Sequence, residues 1–164
     1  MNQRREMLKK ALLLPVAAAA AGGAAVAVPA SAQAAGTWNT AVVPVNGTVG
    51  GAPESVAFAG NAKINTRLAH DPDFGKPSLI MAIDLSEVSG VGASTQRRYA
   101  ISGPSMVQKR HAESHVVEIS FAFFPAGSSG VTDARSGIGT FSITVNTATG
   151  VITAANGKLG TAKT

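Results

Sequence analysis

The feature that most constrains this chain is a two-residue alternation of apolar and polar side chains, repeated in several separate stretches. In the stretch from Glu54 to Leu68, Val56, Phe58, Ala62, Ile64 and Leu68 fall on one side, and Ser55, Asn61, Lys63, Asn65 and Arg67 on the other. Leu79, Met81, Ile83 and Leu85 repeat the pattern, with Asp84 and Ser86 facing away. So do Val117, Ile119, Phe121 and Phe123 against Glu118, Ser120 and Ala122, and Phe141, Ile143 and Val145 against Thr140, Ser142 and Thr144. Successive side chains of a strand point to opposite faces, so this period describes strands with one buried face. Shorter candidate strands lie at 41–49, 97–102, 105–111 and 151–155, the first and last of them rich in Val, Ile and Thr. Gly60 interrupts the first stretch as a bend or bulge.

Turn chemistry separates these runs. Asp71-Pro72-Asp73-Phe74-Gly75, Ser89-Gly90-Val91-Gly92, Ser102-Gly103-Pro104-Ser105, the Gly/Ser-rich 125–130 and Asn146 to Gly150 all read as turns. The expectation is an all-β fold: an antiparallel β-sandwich or small β-barrel of about seven or eight strands. The Asn-Gly-containing C-terminus from Asn156 is expected to fray.

The first third has a different character. Arg4, Arg5, Lys9 and Lys10 precede an uncharged run from Ala11 to Val28, then Pro29 and the small-residue sequence Ala30-Ser31-Ala32-Gln33-Ala34. A basic start, an apolar middle and an A-x-A-like end describe a secretory signal peptide over 1–34, removed after Ala34 or, alternatively, Ala32. Residues 35–164 are then the single β domain. The apolar run is weakly hydrophobic and holds Pro15 and Gly22-Gly23, which argues against a retained membrane anchor. Gln3-Arg4-Arg5-Glu6-Met7-Leu8-Lys9 resembles the twin-arginine (Tat) export motif: a polar residue, two arginines, any residue, two apolar residues and lysine. That resemblance implies dealings with the Tat machinery and signal peptidase, folding before export, and a periplasmic or extracellular destination. Such signals are receptor-read addresses.

Composition narrows the chemistry. There is no cysteine, which removes thiolate metal sites, iron–sulfur clusters, a cysteine nucleophile and disulfide staples. Without the signal the formal charge falls from +5 to +2, too small an excess to point to nucleic acid. No G-x-S-x-G elbow, P-loop or H-E-x-x-H motif is present. A non-enzymatic binding or structural module of the cell envelope is therefore expected.

Three clusters compete with a purely structural reading. His111, Glu113 and His115 would share one face of an extended segment, a competent ligand set for a single transition metal, with His70 or Met106 as a further ligand. If 102–105 is a hairpin turn, Arg98 meets Lys109 and Arg97 meets Arg110, and the four cations form a site for a phosphate, a carboxylate or an anionic envelope polymer. His70-Asp71-Pro72-Asp73 offers oxygen ligands but is more simply a turn. A small apolar ligand inside a barrel is the remaining alternative. A sugar platform needs exposed rings, and beyond phenylalanine the mature part offers Trp38 and Tyr99.

Overall fold

The computed structural model describes residues 37–70, 77–128 and 133–161. The export motif, the cleavage sites and Asp71 to Asp73 lie outside the described residues. The eight strands are β1 (Asn39–Val49), β2 (Val56–His70), β3 (Pro77–Gly92), β4 (Arg98–Ser102), β5 (Pro104–Arg110), β6 (Ser114–Pro125), β7 (Arg135–Val145) and β8 (Ile152–Gly160). The described residues contain no helix, so the all-β expectation holds.

The strands form a single sheet in the order β2-β1-β8-β7-β6-β4-β3-β5, and a further β2–β3 ladder closes it in a ring. β4 and β5 lie end to end along one edge of β3. Tyr99 pairs with Gly90, and further along Val107 pairs with Met81. The ring is therefore a meander of seven strand positions. Each strand runs antiparallel to its predecessor, so in an odd-numbered meander the first and last must meet parallel. They do: β1 pairs β8 in parallel, Val45 opposite Gly157 and Gly47 opposite Leu159.

Three sequence expectations are corrected here. Ser102 to Ser105 is not a hairpin turn. Gly103, at φ 71°, bends the strand without reversing it, and the chain continues along β3. A bulge in β3 beside Ser86, whose N–H donates to Asp84 Oδ1 at 2.9 Å, absorbs the register step. Ser89 to Gly92 is strand as well, and the reversal comes at 93–97. Asn156 to Gly160, expected to fray, are part of β8, with Leu159 buried.

One packing rule explains the misread glycines. Phe58 sits directly opposite Gly90, Phe121 opposite Gly137, and Phe141 opposite Gly157. In each pair a Cβ on the glycine would collide with the phenyl ring. The rings lie over the neighbouring strand where a side chain is missing. Large and small residues thus alternate across the interior, as a narrow closed sheet requires. Phe58, Phe121, Phe123 and Tyr99 form an edge-on aromatic cluster at centroid separations of 5.0 to 6.2 Å. Lower down, Ile64, Leu79, Met81, Ile83 and Ile143 are fully buried. Burial of each such side chain contributes roughly 1.5–3 kcal/mol.

Candidate functional site

Two regions carry the polar chemistry of the described residues. The first is the rim where the loops 50–55 and 93–97 meet the first residues of β4 and β7. Glu54 projects into it and is 7 % exposed. Its Oε2 accepts the Ser94 and Thr95 N–H groups at 2.8 and 2.9 Å. Its Oε1 accepts the Thr95 hydroxyl at 2.6 Å and the Tyr99 hydroxyl at 3.0 Å. A carboxylate has about four lone-pair positions, and four donors occupy them. Gly92 leaves the room, since a Cβ there would strike the carboxylate. Hydrogen bonds from Thr95, then from Ser94 and Tyr99, outweigh burial and hold the Glu54 carboxyl at a pKa of about 2, against an ordinary 4.5. Burial, the bond to Glu54 and the Glu54 charge push the Tyr99 hydroxyl above its ordinary 10.0.

Arg135 completes the rim from β7. It donates to the carbonyls of Glu54 at 2.7 Å and Gly50 at 3.1 Å, and its guanidinium lies 5.0 Å from the Phe123 ring centroid. Glu54 has no proton to give near neutrality and no free lone pair to accept one. The arrangement fastens two loops to each other and to β4 and β7, and is unsuited to acid–base catalysis. Sequence reasoning missed it, because the donors sit about forty positions from the acid and no local pattern joins them.

The second region is the outer face of β2, β3 and β5. Registers align Asn65, Ala82 and Met106 in one row, Arg67, Ile80 and Gln108 in the next, and Ala69, Ser78 and Arg110 in a third. Trp38, 41 % exposed, lies beside β2 with the Arg67 guanidinium 4.8 Å from its ring centroid. Met106 is 66 % exposed. Arg67 Nε is buried against this stack without a hydrogen bond. Gln108 donates to the Ser78 hydroxyl at 2.9 Å, bracing β5 on β3. Of the two rings considered for a sugar platform, Trp38 faces solvent and Tyr99 is buried in the rim.

The candidate metal ligands are not brought together. β5 ends at Arg110 and β6 begins at Ser114, so His111 and Glu113 lie in a turn instead of an extended segment. The Glu113 carbonyl accepts Val145 N–H at 2.8 Å, tying this turn to β7. Glu113 is exposed, whereas His115 is buried with Nε2 2.9 Å from the Ala112 carbonyl. His111 Nδ1 is buried without a hydrogen-bond partner. Among the described residues, no group of three or more His, Asp or Glu side chains is placed to hold a metal ion. His70 ends β2, and its side chain lies outside the description.

The four-cation cluster also separates. Arg98 pairs with Val91 at one end of β3, whereas Lys109 and Arg110 pair with Leu79 and Ser78 at the other. Twelve positions of strand, about 40 Å, lie between. The collinearity of β4 and β5 is the cause: a hairpin at 102–105 would have folded these ends together. No helix among the described residues is long and apolar enough to cross a membrane. Comparison with protein-family models, curated proteins and solved structures gave no match.

Proposed function

We propose that this chain is an exported, non-enzymatic binding module of the cell envelope, and that it works through the outer face of β2, β3 and β5. The observation that carries the reading is the contrast between a filled interior and this face. Phenylalanine rings lie over the glycines within the ring. Outside, Trp38, Met106, Arg67 and Arg110 gather across three strands. The Glu54 carboxylate, the strongly perturbed one among the described residues, is fully bonded to the loop 93–97 and Tyr99, which favours binding over catalysis. The basic and apolar N-terminal sequence supports export, and its twin-arginine resemblance supports export of a folded domain.

The test is to express the whole chain in a bacterium with a functional twin-arginine pathway. Fractions are then followed by intact mass, and the exported form is sedimented with purified envelopes. The reading expects a mature species beginning near residue 35 that co-sediments with envelopes. A chain retained in the cytoplasm at full length, or an exported domain with no envelope association, overturns it.

A further inference from the structure

We infer that the β2–β3–β5 face binds an extended anionic polysaccharide, with Trp38 stacking on a sugar ring and Lys63, Arg67 and Arg110 meeting its carboxylate or sulfate groups. This inference rests on the binding-module reading above and names the ligand class.

Charge and shape both point there. Lys63 lies opposite Asp84 on this face and Glu87 faces outward one row beyond, opposite Asn61, so the face carries three cations against two acids, and the Asp84 carboxylate is already engaged with the Ser86 N–H. The outward positions of β7, by contrast, include Ser136, Thr140, Ser142 and Thr144 and hold no charge. Lys63 and Arg67 are four residues apart on β2, about 13 Å. Arg67 and Arg110 are two strands and one row apart, about 12 Å by the same spacings. Cations spread that widely over an open sheet suit a repeating anion better than a single small one. The Trp38 ring adds what a purely ionic patch lacks. An aromatic face is electron-rich and meets the apolar C–H face of a sugar, and the stacked Arg67 offers planar N–H donors to an adjacent carboxylate.

The edge of β5 argues against the main competing occupant, a β-strand from a peptide or a second copy. β5 has β3 as its hydrogen-bonded neighbour and lies at the end of the sheet order. It begins at Pro104, which has no N–H, and ends in Lys109 and Arg110. Proline and clustered cations at an edge are the usual guards against strand addition. The partner is therefore expected on the face and not along the edge.

The chain has a single tryptophan, so Trp38 emission reports on this face directly. The mature protein is titrated with polygalacturonate, neutral dextran, polyglutamate, oligo-dT and vesicles containing anionic lipid. The inference expects a saturable change in Trp38 emission with polygalacturonate, weakened by salt, and little response to the other four. Lys63→Gln with Arg110→Gln should weaken binding about tenfold. Arg97→Gln with Arg98→Gln removes the same charge at the far end of β3 and should leave affinity unchanged. Trp38→Ala, followed by calorimetry, should lose affinity without loss of thermal stability. Equal weakening by both charge pairs overturns the inference, as does a stronger response to polyglutamate, oligo-dT or vesicles. If the exported protein still sediments with envelopes in those cases, the binding-module reading stands and only the ligand class fails. Loss of sedimentation for wild type removes both.

Discussion

The rim and the β2–β3–β5 face use the same kinds of side chain to opposite ends. At the rim, an arginine, an acid, a tyrosine and a threonine are bonded to one another and to backbone groups. On the face, an arginine stacks on a tryptophan, and its buried Nε makes no hydrogen bond. Two loops converge at the rim, and their backbone carbonyls and N–H groups need partners away from water. The face crosses three strands joined by the β2–β3 and β3–β5 ladders, which leaves its outward side chains available. Polar groups at the rim thus serve stability, and those on the face are left for the recognition proposed above.

The sharpest way to break this division is from beneath the rim. Phe123→Ala removes the ring that Tyr99 and Phe58 pack against and that Arg135 covers. It should cost about 3–5 kcal/mol, read as a lower denaturant midpoint. Next comes Arg135→Ala, which strips two carbonyls of their donor and should cost about 2 kcal/mol. Both variants, while folded, should keep wild-type affinity on the face, as titration would show. An affinity loss without unfolding would mean that the two regions are coupled.

A smaller effect concerns pH. The Glu54 carboxyl has a lower pKa in the folded state than in the unfolded chain. Its contribution is therefore complete above pH 4.5 and is lost as pH falls toward 2. Tyr99 runs the other way. Its hydroxyl is raised in the folded state, so its contribution is complete below pH 10 and is lost as pH rises further. Thermal melts should show both limbs, and Glu54→Gln should flatten the acid one; an unchanged acid limb would remove Glu54 from the account. The smallest effects belong to the face. Met106→Ser and Arg110→Gln should each change stability by no more than about 0.5 kcal/mol, in the same melts.

Much of the fold was legible because alternation is a direct print of strand geometry: Val117 to Phe123 and Phe141 to Val145 are buried as their period indicates. Glycine was the point of failure. Gly90 read as turn punctuation and Gly157 as part of a frayed end, yet each sits mid-ladder beneath a phenylalanine on another strand. Local sequence does not show what lies across a ladder. Gly103-Pro104 has turn chemistry too, but here it bends β4 into β5 along a bulged β3. Both candidate clusters failed on that local geometry. The His111/Glu113/His115 set needed an extended segment where the chain turns. The Arg97/Arg98/Lys109/Arg110 set needed a hairpin where the chain runs on. Trp38 was visible as a rare ring, but its stack on Arg67, 29 positions away, was not.

Amide hydrogen exchange of the mature domain, resolved by peptide, tests the division most directly. Residues 93–97 and the amides of β8 should exchange as slowly as those of β6 and β7, because the rim and the parallel β1–β8 closure tie them down. β5, with β3 as its neighbour, should exchange far faster. A fast-exchanging rim or C-terminal strand, or a β5 as protected as β6, would contradict the account.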